Sequence, residues 1–205
     1  MKKNFVSNST ESTRIFKNGF LESLSKVHYS VPLIIFIPII TWFVYRALTV
    51  TYTNVFTFIA SCIAGLLVWT LTEYVMHRFV FHFEPKSAVG KRLHFLFHGV
   101  HHDYPNDAMR LVLPPSVSIP LATGFYFLFH ALLPAAYMDG FFATFLAGYL
   151  VYDISHYALH HSKFNNRFWK QLKHHHMQHH YADPTKGYGV SSALWDKIFR
   201  SDFEK

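Results

Sequence analysis

Histidine is the residue type whose number and spacing in this chain point most directly to chemistry. Fourteen of the sixteen histidines fall in two stretches, residues 77–102 and residues 156–180. Neutral imidazole is the commonest metal ligand in proteins. Cys62 is the only cysteine, so a metal here must be held by histidine and carboxylate rather than by thiolates. The two stretches predict a metal centre, and one too rich in histidine for a single ion.

Ten of these histidines recur at spacings suited to convergence on a metal. Two triplets have the spacing i, i+3, i+4 and one pair has the spacing i, i+4, so each group shares one face of a helix. These ten histidines are His77, His82, His98, His101, His102, His156, His160, His176, His179 and His180. Ten nitrogens exceed the four ligands of a tetrahedral zinc site. They predict two metals, each with five or six coordination positions and some of them open.

One pair does not fit simple helix geometry. His77 and His82 are five residues apart, which is roughly 140° around an ideal helix of 3.6 residues per turn. The spacing predicts a distorted helix end or a helix-to-loop junction at this point.

Ligand type alone leaves the metal open. Imidazole suits iron, zinc, copper and nickel equally, and the sequence does not choose among them. Two open iron ions at a membrane face suit the activation of O2 as a co-substrate, whereas zinc does not change its oxidation state. We therefore expect two iron ions, and zinc in a purified sample would not establish the native metal.

Two acids precede histidine groups at helical spacing. Glu73 lies four residues before His77, and Asp153 lies three residues before His156, so each acid shares a helix face with the first histidine of its group. A carboxylate in this position can accept the second ring N–H of a metal-bound imidazole. This predicts a supporting catalytic role for both, against the alternative of interfacial acids close to water.

Six histidines remain outside the predicted ligand set. Four of them neighbour ligands and are expected to support the centre, with a hydrogen-bonding or gating role for the first. These four are His94, His161, His174 and His175. His28 falls at the predicted membrane interface, and His130 is predicted to be a hydrogen-bonded core histidine.

The rest of the chain has the composition of a membrane protein. Apolar residues make up 51% and charged residues only 15% of the 205 residues, and four apolar runs (31–50, 55–76, 117–133 and 141–154) approach the roughly 20 residues that a helix needs to cross the hydrocarbon. The fourth run is short and contains Asp153, so it spans only by continuing into the histidine segment. The prediction is an all-α fold with four transmembrane helices in two hairpins.

Charge predicts the orientation. An even number of crossings places residues 77–116 and 155–205 on the side of the N-terminus, and of the 19 lysines and arginines only Arg46 lies near the opposite face. The positive-inside rule makes the shared side, with the metal site, cytoplasmic. The net charge of +7 follows the ends of apolar runs rather than one stripe, which favours anionic lipid over nucleic acid.

The expected organisation is one domain over residues 1–205. Residues 1–30 form a polar N-terminal segment, residues 31–155 the transmembrane hairpins, and residues 156–205 a cytosolic cap. Apolar residues between Ile15 and Val27 recur at helical spacing, which predicts either an interfacial amphipathic helix or a weakly structured tail. No cleavable signal peptide is expected, because no apolar core follows Lys2 and Lys3.

The histidine motifs together resemble a known family. They lie within the segments HFLFHGVHHDYPND (94–107), RLVLPP (110–115), YDISHYALHH (152–161), HHY (179–181), GYGVSS (187–192) and WDKIF (195–199), with His77 and His82 before them. Over about residues 65–200 the chain resembles the membrane di-metal fatty acid hydroxylase and sterol desaturase superfamily, and within it the fatty acid 2-hydroxylases of sphingolipid metabolism. The resemblance implies a four-helix anchor, a helical cap with two metals held by the same ten histidines, and O2-dependent hydroxylation of a long acyl chain at C2.

The resemblance also implies partners. Eukaryotic members usually carry an N-terminal cytochrome b5 domain, whereas about 30 polar residues precede the first predicted crossing here, so electrons are expected from a separate cytochrome b5 or ferredoxin and its reductase. The basic residues from Lys163 to Lys173, among them Arg167 and Lys170, either dock such a donor or are ordinary positive-inside charge. Candidate residues for the substrate headgroup are Asp103, Asp107, Arg110, Tyr157 and Tyr181.

Two other functions remain open from sequence. The same site could perform another lipid oxidation: desaturation, sterol methyl oxidation or carotenoid hydroxylation. Alternatively the protein could bind or transport metal, although a transporter should place ligands within its spans, and the histidines here follow the predicted helix ends.

Overall fold

A computed structural model describes residues 5–203, and the fold within them is entirely helical, as predicted. The helices are α1 (Gly19–Leu24), α2 (Ser30–Thr49), α3 (Val55–Val75), α4 (Ala88–His94), α5 (Val100–Asp103), α6 (Pro115–Leu132), α7 (Ala135–His161), α8 (Arg167–Tyr181) and α9 (Leu194–Ile198). Two π-helical segments, Met76–Phe81 and Phe95–Gly99, follow α3 and α4 directly.

Polar caps define where the main helices begin. The Asn54 side chain accepts the Thr57 N–H at the start of α3, and the Asn166 side chain accepts the Phe168 N–H at the start of α8, which satisfies amides that have no partner in a helical first turn. Pro115 occupies the first turn of α6, where its fixed φ suits the helix and no N–H is needed.

Helix α7 is the centre of the fold. It packs most extensively against α3 and α2, and its aromatic residues Phe141, Phe142 and Phe145 are almost completely buried. Glycine allows the close approach of α3 and α7, because a Cβ at Gly65 would clash with the Phe141 carbonyl oxygen and one at Gly148 with the Trp69 indole. The tight contact holds the two helices that carry His77 and His156 in a fixed register.

Three helical stretches are long and apolar enough to cross a membrane: Ser30–Thr49, Val55–Phe81 and Pro115–Leu132. Helix α7 has 27 residues, well beyond the predicted run of 141–154, but it carries buried acids that interrupt its apolar character. Asp139 near its start accepts a hydrogen bond from Arg46 Nε at 3.1 Å and one from Thr51 Oγ1 at 3.1 Å. Pairing compensates the cost of burying this charge.

Residues 5–29 of the N-terminal segment adopt neither of the predicted forms. Only the six residues of α1 are helical among them, and the others include residues hydrogen-bonded to residues 103–110. The Ser7 N–H donates to the Asp103 carbonyl oxygen, and the Val27 N–H donates to that of Met109. These partners are more than 80 residues away in sequence, so helical periodicity could not indicate them.

Candidate metal centre and lipid cavity

The structure brings all ten predicted histidines together in two groups of five. Within each group the ring nitrogens lie within 4.8 Å of one another. The first cluster consists of His77, His82, His98, His102 and His179. The second cluster consists of His101, His156, His160, His176 and His180.

Each histidine triplet contributes to both clusters. His98 and His102 belong to the first cluster, while His101 between them points to the second. In α8 the division is reversed, with only His179 in the first cluster. The stacked rings of His102 and His180, 4.3 Å between centroids, lie where the two clusters meet. Two short helical segments therefore hold both clusters side by side.

The π-helical segment after α3 accounts for the irregular pair. The His82 N–H donates to the His77 carbonyl oxygen, five residues back, at 3.2 Å, which is the hydrogen bond that defines a π-helix. The wider turn brings both imidazoles to one side, 5.0 Å between ring centroids. The predicted distortion at this position is thus a π-helical turn.

The arrangement of nitrogens fits a metal ion better than hydrogen bonding between rings. His98 Nε2 lies 3.0 Å from both His77 Nε2 and His102 Nε2, and His176 Nε2 lies 2.9 Å from His160 Nε2 and 3.1 Å from His180 Nε2. One ring N–H can satisfy only one such neighbour. Nitrogens about 2.0–2.1 Å from a common ion lie ~2.9 Å apart when their bonds meet at a right angle, so five- or six-coordinate metals fit these contacts.

Protonation favours the same conclusion. The Nδ1–H groups of His77 and His179 donate to the carbonyl oxygens of Tyr188 and Lys186, at 2.5 and 2.6 Å, so the Nε2 atoms that face the cluster carry lone pairs. Burial, reinforced by neighbouring imidazoles, lowers the pKa of His98 well below the usual histidine range. Burial lowers the pKa of His179 to about 4 and that of His82 to about 3. The imidazoles are neutral at physiological pH, as metal ligands must be.

The structure corrects the predicted roles of Glu73 and Asp153. Neither carboxylate accepts a hydrogen bond from a histidine of residues 5–203. Glu73 accepts the N–H groups of Val190 and Ser191, each at 2.8 Å, and Asp153 accepts the Leu113 N–H at 3.0 Å and the Tyr149 hydroxyl at 3.2 Å. Backbone amides of loops packed on α3 and α7 need acceptors, and these acids supply them.

The six other histidines lie outside both clusters. His94 packs against Phe83 and His161 against Tyr157, His174 is exposed, and His175 Nε2 lies 3.1 Å from an Asp202 oxygen. His28 Nδ1 is hydrogen-bonded to Ser30 Oγ at 2.8 Å.

The prediction of a core position for His130 is wrong. His130 lies on the exposed side of α6 with its ring stacked on Tyr126. Its helix turns the aromatic residues Phe125 and Phe129 inwards instead.

An apolar cavity of about 350 Å³ reaches both clusters. Its histidine end is formed by His98 of the first cluster and by His101 and His156 of the second. From there it extends between α3, α6 and α7, where apolar side chains line it, and the N-terminal segment closes one side. The apolar lining includes Trp69, Leu121, Ala122, Phe125, Phe145 and Leu146, and the closing residues are Ile15, Phe16, Leu21 and Leu24.

The predicted headgroup residues Asp107 and Arg110 are occupied by the protein itself. Arg110 Nη2 lies 2.6 Å from Glu22 Oε1, and Arg110 Nη1 donates to Ser25 Oγ at 2.9 Å. Asp107 accepts the Thr13 N–H at 3.0 Å. This buried network fastens the N-terminal segment over the cavity, so both residues act first as structural anchors, although Arg110 also lines the cavity.

The other three headgroup candidates, Asp103, Tyr157 and Tyr181, do not line the cavity within the described residues. Tyr157 stacks on Tyr29 at 4.7 Å between centroids, and Tyr181 is 54% exposed. Trp69 is a further residue of the cavity wall that the sequence does not single out, and its Nε1–H is buried there with no hydrogen-bond partner among residues 5–203. An indole in an apolar run gives no signal that separates such a donor from an ordinary core residue.

Replacing Arg110 with methionine should release the N-terminal segment. The substitution leaves the buried Glu22 carboxylate without its guanidinium partner, a loss of about 3 kcal/mol, which is roughly 100-fold more frequent opening. Trypsin cleavage at Arg14 and Lys17, followed by mass spectrometry, should become faster by that order. The exposed residue Lys91, changed to methionine, is the control, and equal cleavage rates in the two variants would contradict this role.

The same network resists acid. Burial by itself would raise the pKa of Glu22, but the backbone N–H groups of Phe16 and Ile15 and the Arg110 guanidinium lower that pKa to about 2. A carboxylate with a lowered folded-state pKa contributes stability at neutral pH, and this contribution falls below pH ~4.3. It is lost as the pH falls through about 2.

These features define a class of protein: a helical membrane protein with two five-histidine clusters at the end of an apolar cavity. The chain belongs to the fatty acid hydroxylase family, whose model matches residues 62–201. This confirms the resemblance found in the sequence, and it makes the protein a membrane-bound hydroxylase.

Named relatives cover nearly the whole chain. The dihydroceramide fatty acyl 2-hydroxylase FAH2 of Arabidopsis thaliana is 38% identical over 193 residues, covering 92% of this chain and 79% of the relative. The ceramide very long chain fatty acid hydroxylase SCS7 of Saccharomyces cerevisiae is 41% identical and the fatty acid 2-hydroxylase of Homo sapiens 37% identical, with 92% and 94% of this chain covered. This chain spans 49% and 57% of those two proteins.

A solved structure shares the fold. Full-length scs7p, of which only the hydroxylase domain is visible, superposes with a TM-score of 0.86 at 40% identity. The match covers 93% of this chain and 72% of that chain. At this identity the likeness extends beyond the fold to the sequence.

Proposed function

We propose that this protein hydroxylates the C2 position of a long-chain acyl group, either as the free fatty acid or within a ceramide-type lipid, with two iron ions and O2. The observation that carries the proposal is the apolar cavity that ends at His98, His101 and His156. A cavity lined by apolar side chains takes up hydrocarbon, and its closed histidine end is where a reacting carbon would lie. The relatives are fatty acid 2-hydroxylases and ceramide hydroxylases by name, which supports the C2 position and the lipid class.

The overall reaction balances with an external reductant. One atom of O2 enters the C2–H bond as a hydroxyl group, and the other leaves as water with two electrons and two protons from the donor. Iron ions held by the two histidine clusters would supply the redox chemistry that activates O2, which histidine itself cannot perform. Zinc fits the same nitrogens, so a zinc-containing preparation would be an inactive form.

The residues of this chain would hold the metals, orient the ligating imidazoles and shield the reacting carbon from water. The ten histidines are the proposed ligands, with five nitrogens in each cluster and further positions open. The Tyr188 and Lys186 carbonyls orient His77 and His179. The apolar wall excludes water from the reacting end, and the unpartnered Trp69 Nε1–H is available to a polar group of the lipid.

We further propose that α7 is a fourth membrane-crossing helix, so that the chain forms one domain with two transmembrane hairpins. The Arg46–Asp139 pair then marks the face opposite the histidines. The histidine clusters, α8 and α9 form a cap on the side of the N-terminus. The excess of lysine and arginine on that side supports a cytoplasmic location for it.

Electrons are proposed to come from a separate cytochrome b5 or ferredoxin type protein with its reductase. Helix α8 carries three ligands on its inner face, and basic residues lie exposed at its outward side. Lys163, just before α8, and Arg167 and Lys170, near its start, are exposed. The same helix carries histidines of both clusters. Basic charge in this position suits an acidic carrier by electrostatic steering.

Expression in a host that lacks 2-hydroxylated lipids, together with a reductant protein, tests the function. Lipid mass spectrometry should show 2-hydroxy acyl chains that depend on O2. New double bonds, oxidised sterol methyl groups or hydroxylated carotenoids would instead support another oxidation by this site. Metal uptake without any lipid product would support a binding or transport protein.

A further inference from the structure

The loop between α8 and α9 is held by two buried carboxylates. Four consecutive N–H groups, those of residues 188–191, point at them. Asp196 accepts the Tyr188 N–H at 2.9 Å and the Gly189 N–H at 2.7 Å, and Glu73 accepts the next two at 2.8 Å each. Asp196 is 0% exposed and Glu73 is 4% exposed. We call residues 186–191 the clamped loop.

The clamped loop supports only one of the two clusters. Its carbonyl oxygens at Lys186 and Tyr188 accept the Nδ1–H groups of His179 and His77, which are both in the first cluster. In the second cluster, the Nδ1 atoms of three histidines are buried without a hydrogen-bond partner among residues 5–203. These three are His101, His176 and His180.

We infer that Asp196 and Glu73 are positioning residues for the first cluster, acting through the clamped loop, and that the second cluster does not depend on them. The inference rests on the proposed function in that both clusters hold metal. A carbonyl that accepts the outer ring N–H fixes the tautomer and orientation of a ligating imidazole. The carboxylates in turn fix the two carbonyls.

The geometry of the clamped loop leaves it little freedom. Gly187 has φ +70°, and a Cβ at Gly189 would clash with the Ser192 carbonyl oxygen. Ser201 Oγ also donates to Asp196 Oδ1 at 2.8 Å. Without the carboxylates, four adjacent N–H groups would lose their acceptors, and unpaired buried N–H groups are strongly destabilising. The loop would then take another path and withdraw its carbonyls from the histidines.

The two acids differ in what an amide replacement would do. Both backbone N–H groups at Glu73 bind the same oxygen, Oε1, so the carbonyl oxygen of Glu73→Gln can replace it. The other oxygen, Oε2, accepts the Ser191 hydroxyl, which can turn and accept from the Gln NH2 group instead. At Asp196 each oxygen accepts one backbone N–H, so Asp196→Asn must present its NH2 group to one of them. Geometry therefore predicts that Glu73→Gln is mild, while Asp196→Asn and Glu73→Ala disrupt the loop.

The experiment measures iron retained by each cluster separately. His156→Ala with His160→Ala leaves only the first cluster intact, and His82→Ala with His102→Ala leaves only the second. Each purified protein is loaded with Fe²⁺ without oxygen, exposed to a chelator, and analysed for iron per chain. Asp196→Asn should lower retention at least tenfold in the first background, within the 10–100-fold typical of groups that support metal ligands, and should leave the second unchanged.

Glu73→Ala should likewise lower iron retention by the first cluster alone, and Glu73→Gln should retain iron as the unsubstituted chain does. This pair of variants tests the inference even if Asp196→Asn does not fold. Asp139→Asn, a buried acid at the far end of α7, is the control for a general loss of stability. Equal loss from both backgrounds, or no loss from either, would overturn the inference while leaving the proposed function intact. Failure of the unsubstituted chain to retain iron would overturn both.

Discussion

Replacing His176 with alanine should reduce the 2-hydroxy acyl product more than 100-fold and lower the iron content from about two to about one per chain. His176 is 0% exposed, and its Nε2 atom lies 2.9 Å from that of His160 and 3.1 Å from that of His180 in the second cluster. Loss of a group that only supports a ligand already costs about 10–100-fold in metal affinity or activity. Loss of a ligand at the centre of its cluster should exceed this.

The matched control is His174→Ala on the exposed side of the same helix. It should leave product and iron unchanged, because it removes an imidazole of the same stretch without touching either cluster. Product is followed by lipid mass spectrometry and iron by elemental analysis. About one metal per chain, unaltered even when His176, His179 and His180 are all replaced with alanine, would refute the two-metal centre.

Replacing Ala122 with tryptophan should shorten the acyl chains that the protein accepts. Ala122 lies in α6 and lines the cavity, so an indole there would fill space that the hydrocarbon tail needs. Each methylene group kept out of the cavity forfeits about 0.8 kcal/mol. Exclusion of about three of them would raise KM for long chains roughly 50-fold, while short chains and iron content stay unchanged.

Leu128→Trp is the control for this experiment. Leu128 is in the same helix but is 49% exposed on its outer side, where a larger side chain displaces lipid rather than substrate. Competition between acyl chains of different length, followed by mass spectrometry, gives the selectivity directly. If both variants kept the chain-length profile of the native protein, the cavity would not be the acyl site.

The sequence was enough to predict which ten histidines come together, but not how they divide between two clusters. Helical spacing alone places His98, His101 and His102 on one face, which is enough to predict that all three belong to the metal centre. The assignment of His101 to the other cluster depends on His156, which α7 brings to within 2.9 Å of it. Contacts between elements so distant in sequence have no local signal.

The two acids show where local reasoning failed. Spacing correctly places Glu73 on the face of α3 that continues to His77, but the carboxylate is taken by the N–H groups of Val190 and Ser191. The demand for an acceptor arises in a loop 117 residues later. Glu73 therefore acts on His77 through that loop rather than by a direct hydrogen bond. Asp196, which holds the same loop, lies in a short helix whose sequence shows no metal-ligand pattern.

Helix boundaries followed apolar composition only where the helix faces outwards. Helix α2 matches its predicted run closely, whereas α7 extends from Ala135 to His161, far beyond the run of 141–154. Its buried positions include Asp139 and Asp153, which are paired inside the protein. A helix surrounded by protein can carry paired acids. A search for uninterrupted apolar residues then predicts that the helix ends at such an acid, although it continues.

The π-helical turn between His77 and His82 has a consequence for reading related sequences. A π turn accommodates one residue more than the α-helical ladder, so the register of this pair depends on the length of the segment as well as on its histidines. A relative with a single-residue deletion between the two positions would return the segment to α-helical register with its histidines at i and i+4, which still share one face of the helix. We therefore expect functional relatives to hold this pair at a spacing of either four residues in an α-helical turn or five residues in a π-helical turn.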